Sequence, residues 1–490
     1  MFTALDTFTL VAYLVVISGL GIFFSRQNKG FHDFMFGGGR MPWWAIGISL
    51  IATSVSATTF LGNPADTYGT NMTLLMCNFG GLVAIVLVGW WFIPRFQRLG
   101  VTSAYEVLEQ RFSRPVRLLA AVFYSAHLIL RTGMLLYGPS LVLSQLLNVS
   151  IYLAICVTSV LAIVYTYFGG LRAVVWTDVM QFFVLFGGGL LTLWTVASAV
   201  GGWGEMGRLA AEAGKTTWFD GSLDPSNART FLSAGVAYIA FDLAIRGCDQ
   251  QFVQRYMACK DIREANYSSV LSLFLGLLVG LLFYWVGAGL FVYFQSVQVQ
   301  ALPEGLGRND VFPFFLLNIM PSGITGLMVA AIFAAAMSSL DSAITALSNT
   351  TVTDFLRADP ARGDHLQQAR IWVLVWGVLG TLAAFVCVLG EASLLTKALF
   401  FTSLFTGPLL GIFLLAFFAP KARPRAVFGG AIIGMLCLLP FSKIPVLPDH
   451  LWEPIYTFSW PWNPLISMTG TLVGAALLHF LWPRTKAVHA

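Results

Sequence analysis

Long runs of apolar residues, each about twenty positions, recur along this chain, and most of the charge sits in the short stretches between them. An α-helix rises about 1.5 Å per residue, so roughly 20 apolar residues cross the hydrocarbon core of a bilayer. Thirteen such runs are read: near 7–24, 43–63, 73–94, 118–146, 150–168, 174–200, 230–252, 267–294, 312–350, 371–390, 394–419, 426–441 and 464–482. The pattern predicts an all-α polytopic membrane protein.

Polar residues inside these runs are the informative ones. An ionisable group at membrane depth costs roughly 2.5–3.5 kcal/mol on insertion scales and needs a partner or water. In the stretch AAAMSSLDSAITAL, positions 335, 338, 339 and 342 share one helix face by their spacing. Ser338, Ser339 and Ser342 stack there, and Asp341 flanks them. Hydroxyls and a carboxylate are hard oxygen ligands that suit an alkali cation, whereas zinc favours His or Cys. The serines alone also suit close helix packing. Packing has no use for Asp341, which points to a cation or proton site.

Four further stretches carry the same kind of signal. Asp178, in AVVWTDVMQFF, stands about one turn into its run beside Arg172; it reads as an interfacial cap or as a cation ligand near the inner end of a pathway. The stretch SLIATSVSATTFLGNPADTYG is rich in Ser and Thr, and Gly62-Asn63-Pro64 marks where its helix is expected to break. Broken helices free carbonyls that coordinate sodium; a serine-rich helix followed by a turn is the plainer reading. Arg131 lies deep in SAHLILRTGMLLYGPS. Its planar fork matches a carboxylate, either of a substrate or of a structural ion pair. In IRGCDQQFVQRY, Arg246, Asp249, Gln250 and Gln251 end an apolar helix, and Arg246 and Asp249 have the spacing of an i, i+3 pair.

Composition narrows the class. The 490 residues are 57% hydrophobic and 10% charged, with a mean hydropathy of +0.77; a soluble domain carries roughly 25% charge. The net charge of +5 calls for no nucleic acid. The six cysteines form no CxxC pair, and neither they nor the six histidines predict a disulfide or a metal cluster. The first apolar run lacks a basic leader and a small-x-small cleavage site, so it is expected to stay as a span. With the N-terminus outside, 20 of the 28 Lys and Arg fall in inner segments and six in outer ones. That asymmetry follows the positive-inside rule and predicts a cytoplasmic C-terminus. No HExxH or GxSxG motif and no large soluble segment predicts an enzyme. No short filter loop predicts a channel, and no appended domain predicts a sensor.

Taken together, GGLRAVVWTDVMQFF, DQQFVQRYMACKDIREA and AAIFAAAMSSLDSA resemble the sodium:solute symporter family over about residues 8–418. The segment LLYGPSLVLSQLLNVS is similar to its monocarboxylate, iodide and vitamin branch, and LILRTG to its sialic acid symporters. The resemblance implies a single transporter domain over 1–490. Its leucine-transporter-type core would be a 5+5 inverted repeat over 43–419, with a leading helix at 7–24 and two trailing helices over 426–482. It implies a first sodium site from the carbonyls of Ala52, Val55 and Ala335 and the hydroxyls of Ser338 and Ser339. A possible second site would use Asp178, Ser338, Asp341 and Ser342. The sialic acid pattern has a hydroxyl where Asp341 stands, so the two carboxylates either strengthen that site or share a proton. The implied substrate pocket uses Ser54, Ser56, Thr59, Asn78 and Arg131, with Arg131 clamping a carboxylate. Asn78 stands in place of a longer amide, and Leu74 in place of an aromatic ring. The expectation is a symporter that takes one or two Na+ with a small carboxylated solute and works as a monomer in a cell membrane, by base rate a bacterial inner one. Sialic acid leads the candidates, with a monocarboxylate, vitamin or neutral sugar as alternatives.

Overall fold

The computed structural model describes residues 3–25, 30–55, 57–147, 149–300, 302–303, 305–357, 365–388, 394–442 and 454–481. Ten described helices are long and apolar enough to span a membrane. A bent pair makes one more span, and two shorter apolar helices, Ile151–Val164 and Thr402–Phe418, complete a set of thirteen. Each falls on one of the predicted runs.

The leading helix, α1 (Ala4–Ser25), is tied to the core by a buried carboxylate. Asp6 Oδ1 accepts the backbone N–H groups of Gly323 at 2.7 Å and Gly326 at 2.9 Å. These donors sit at the start of the helix Ile324–Thr350, where the helix dipole favours negative charge.

The run predicted at 43–63 is two helices, α2 (Trp43–Ser54) and α3 (Ala57–Gly69), bent by 58°. The break falls at Val55, which is extended (φ −83°, ψ 102°), and not at Gly62-Asn63-Pro64. Thr53 Oγ1 donates to Ser49 O and Ser54 Oγ to Leu50 O, so hydroxyls compete with the backbone ladder just before the chain leaves the helix. Pro64 lies inside α3.

Next come α4 (Thr73–Leu99), α5 (Arg114–Leu147) and α6 (Ile151–Ala199). Gly170 splits α6 into two crossings by adopting φ 62°, ψ −172°. A side chain there would also strike Phe34, since an added Cβ would lie 2.7 Å from the Phe34 carbonyl oxygen. Only glycine meets both conditions.

A second broken helix follows. The run predicted to end near 252 is α7 (Phe231–Cys248) and α8 (Gln250–Ala258), parted at Asp249, which is extended (φ −77°, ψ 126°). Asp249 Oδ1 caps α8 by accepting Gln251 N–H at 2.8 Å. The extension carries Arg255, counted by sequence among the inner-loop cations, into the core at 1% exposure.

Helices α9 (Ile262–Ser296), α10 (Ile324–Phe355), α11 (Leu366–Val388) and α12 (Leu394–Phe418) complete a second set that opens, like the first, on a broken helix. The run predicted at 312–350 is a short helix, Val311–Asn318, followed by α10. Helix α10 packs against α1, α2, α5, α6, α8 and α11, and every residue from Met328 to Thr350 is buried. A helix buried all round needs no lipid-facing stripe, which is why its polar face is affordable. Two trailing helices, α13 (Pro424–Cys437) and α14 (Asn463–Leu481), pack on each other and on α12.

Candidate substrate and cation sites

A cavity of about 410 Å³ lies between the broken helices. Ser54, Val55, Thr59 and Asp66 line it from the first break onward, Asn78 and Gly81 from α4, and Tyr238, Asp242 and Arg246 from α7. Arg308 and Asn309, both exposed, also line it, so it reaches solvent at that end of the bundle. Its size suits a small organic solute.

Of the residues assigned by sequence to the substrate, Ser54, Thr59 and Asn78 are in this wall, as is Leu74. Ser56 lies outside the described residues. Arg131 is not among the lining residues. It is half-buried on α5. Arg246 is the buried guanidinium in the wall instead. Its Nε donates to Asp242 Oδ2 at 2.7 Å, replacing the Arg246–Asp249 pairing read from the sequence.

A second cavity, of about 10 Å³, is lined by Ala52, Val55, Gln181, Ala335 and Ser338. It has room for one water-sized particle. Ser338 Oγ lies 3.0 Å from Ala52 O and 3.2 Å from Ala335 O. Ser339 Oγ lies 3.2 Å from Thr53 O and 3.4 Å from Ala335 O. Four of the five residues assigned to the first sodium thus meet around carbonyl and hydroxyl oxygens, and Val55 borders the same space. Sequence reasoning missed Gln181, whose buried amide makes no hydrogen bond among the described residues. Its spacing of three from Asp178, on one helix face, was the available signal.

The residues assigned to a second sodium are arranged differently. Asp178 and Ser342 are joined through Arg255. Arg255 Nη2 donates to Ser342 Oγ at 2.5 Å and Asp178 Oδ2 at 3.1 Å, and Nε donates to Ser49 Oγ at 2.7 Å. Asp341 accepts the Ser342 N–H at 2.7 Å, while Ser338 turns to Ala52 and Ala335. A guanidinium therefore supplies the positive charge between Asp178 and Ser342. No sequence signal placed Arg255 there, because it stands at the end of an apolar run where a loop cation is the ordinary reading.

The end of the bundle opposite Arg308 carries a network of ion pairs. Arg117 Nε lies 2.7 Å from Asp354 Oδ1, and Arg117 Nη1 lies 2.8 Å from Glu109 Oε2. Ser103 Oγ donates to Asp354 Oδ2 at 2.7 Å, and Arg357 Nη2 lies 2.6 Å from Glu109 Oε1.

The arrangement has relatives. Residues 34–436 match the model of the sodium:solute symporter family. The chain is 32% identical over 441 residues to the sodium/sialic acid symporter SiaT of Proteus mirabilis (strain HI4320), with 88% of each protein covered. It is 31% identical over 448 residues to sodium-coupled monocarboxylate transporter 2 of Homo sapiens, covering 89% of this chain and 71% of that one. A solved structure of a Na+-coupled sialic acid symporter in a substrate-bound outward-open state superposes with a TM-score of 0.88 at 28% identity, over 100% of both chains. With two broken helices around a solute-sized cavity and an ion-sized one beside it, the chain belongs to the sodium:solute symporter family.

Proposed function

We propose that this symporter couples Na+ entry to uptake of a small carboxylated organic solute, with sialic acid the first candidate. One observation carries the coupling: Val55, the extended residue at the first break, lines both the 410 Å³ cavity and the 10 Å³ one. Sodium held by the carbonyls of Ala52, Val55 and Ala335 and the hydroxyls of Ser338 and Ser339 fixes the break, and the break forms part of the solute's wall. Each ligand then tightens the other's binding by the same factor. Ser54, Ser56, Thr59 and Asn78 meet the solute's polar groups. Arg246, in the cavity wall, receives its carboxylate, with Arg131 on α5 as the alternative clamp.

The solvent-reaching cavity and the ion pairs at the other end support an outward-open state. The distribution of Lys and Arg supports an external N-terminus and a cytoplasmic C-terminus, with 19 inner positions once Arg255 is moved to the core. We take the chain as one transporter domain acting as a monomer in a bacterial inner membrane. Asp178, Ser338, Asp341 and Ser342 take a second Na+ only if Arg255 withdraws. Each Na+ entering at a potential of about 100 mV gains roughly 2.3 kcal/mol, so two with a monoanion make uptake electrogenic.

The test is thermal-shift binding to the purified protein in sodium and in potassium, with sialic acid, lactate, pantothenate, glucose and proline. A carboxylated ligand should stabilise the protein in sodium alone, and Ser338→Ala should remove that dependence. Stabilisation by a neutral ligand, with or without sodium, would overturn the substrate class. Arg131→Ala beside it decides whether Arg131 reaches the solute. Lactate as the best ligand would favour a monocarboxylate, in keeping with the apolar Leu74, Phe241, Leu273 and Val279 in the wall.

A further inference from the structure

The cavity wall holds both signs of charge side by side. Asp242 and Arg246 are 7% and 8% exposed and share one hydrogen bond, Nε to Oδ2. Arg246 Nη1 donates to Ser272 Oγ at 3.2 Å. That leaves Arg246 Nη2 and Asp242 Oδ1 with no hydrogen bond among the described residues. Asp66, in the same wall, pairs through Oδ1 with Arg229, and its buried Oδ2 has no partner. Two uncommitted carboxylate oxygens thus belong to the wall that holds the free corner of the buried Arg246 guanidinium, with the exposed Arg308 at the solvent end.

From this we infer that Asp242 is a specificity filter, which lets Arg246 receive a carboxylate only from a solute that brings its own hydroxyl donors, a polyhydroxylated acid. The inference rests on the reading of the cavity as the substrate site. A carboxylate reaching Arg246 also meets the negative charge of Asp242, itself only 7% exposed, and like charges at close range repel. A bare acid offers nothing in return. A polyhydroxylated acid donates O–H groups to Asp242 Oδ1, which has no hydrogen bond among the described residues, and to Asp66 Oδ2, which is buried without a partner. Sites built on such buried polar groups reject analogues lacking the hydroxyl by several orders of magnitude in favourable cases. The repulsive element is therefore part of the selectivity, beside the attractive one.

The experiment compares sodium-dependent binding of gluconate and hexanoate, two six-carbon acids that differ in their hydroxyls. Wild type should favour gluconate by about 100-fold or more. Asp242→Asn keeps the shape and removes the charge. Hexanoate should then bind about tenfold tighter and gluconate no tighter, so the ratio collapses. If Asp242 only holds Arg246 in place, both acids weaken together, and the proposal is overturned; equal binding of both acids to wild type overturns it too. Should Asp242→Asn fail to fold, Asp66→Asn reports the same filter, with a smaller shift in the same direction. Gly280→Leu separates the two levels of the argument. Gly280 lines the cavity with open space around it, the nearest atom to an added Cβ being Tyr284 Cε2 at 4.0 Å. Binding that survives Gly280→Leu, or wild type that binds neither acid nor sialic acid, overturns the cavity reading itself. Loss of binding in Gly280→Leu with an unchanged ratio in Asp242→Asn overturns only the filter.

Discussion

Arg255 Nη2 lies 3.1 Å from Asp178 Oδ2, in a pair only 1% and 0% exposed. The two residues belong to different halves of the helix order, α8 and the second crossing of α6, and Ser49 of α2 bonds to both. Removing one member of a buried ion pair leaves an uncompensated charge and destabilises by roughly 3–5 kcal/mol. Arg255→Ala should lower the unfolding temperature and stop transport. In the double variant with Asp178→Asn, part of the stability should return, with a coupling on the order of 1 kcal/mol or more. Purely additive losses in the thermal-unfolding cycle would mean that the pair does not act as a unit.

Ser338, which lines the ion-sized cavity, and Ser339 beside it on α10 each place a hydroxyl within 3.5 Å of two carbonyls. Ser338→Ala and Ser339→Ala should each raise the sodium concentration for half-maximal uptake by about tenfold, equivalent to roughly 1.4 kcal/mol. Ser348→Ala is the control, since Ser348 Oγ bonds to Ala369 O, away from both cavities. Sodium titrations of uptake in vesicles check this, and an unchanged half-maximum in both serine variants would rule these hydroxyls out as ligands.

Gly287 on α9 packs against the proline of α3. An added Cβ there would lie 2.4 Å from the Pro64 carbonyl oxygen. Gly287→Ala should destabilise by about 1–3 kcal/mol through overpacking. It should also slow transport, because α3 cannot keep its present distance from α9. Gly207, with nothing within 4 Å of an added Cβ, should accept alanine with little change in the same unfolding and uptake assays.

Glu109 sits between spans, in the ion-pair network at the end opposite Arg308. Burial works against its charged form, but hydrogen bonds and charge from Arg117, and then Arg357, outweigh that and hold its carboxyl below the usual range. Its contribution is therefore complete above the ordinary glutamate value, roughly 4.3. It is lost as pH falls through the lower folded value. Wild type should exceed Glu109→Gln in stability at neutral pH, and the gap should close below about pH 4. Thermal unfolding across pH measures the gap; one that widens on acidification would contradict the sign.

Much of the architecture was legible because the bilayer imposes length and apolarity on every span, and these are properties of consecutive residues. The thirteen segments and the serine face of α10 follow from spacing alone. So does the grouping of Ser338 and Ser339 on one face, since 3.6 residues per turn decides which side chains share a side. The position of a helix break is less local. Gly62-Asn63-Pro64 looked like the break, yet the chain leaves the helix at Val55. There, hydroxyl back-bonds weaken the ladder and α10 receives the freed carbonyls.

What only the tertiary structure decided is which charges meet across helices far apart in the chain. Sequence spacing paired Arg246 with Asp249 and placed Arg255 in a loop; in the structure Arg246 pairs within its own helix, with Asp242 one turn earlier, because the helix breaks at Asp249, and only packing between distant helices buries Arg255 against Asp178. Arg131 reads as the solute's clamp, while the cavity wall carries Arg246. The reason is physical. A one-dimensional pattern specifies how a helix divides into faces, but the partner of a buried charge is whatever group three-dimensional packing brings within a few ångströms. Desolvation makes that choice the one the fold must satisfy.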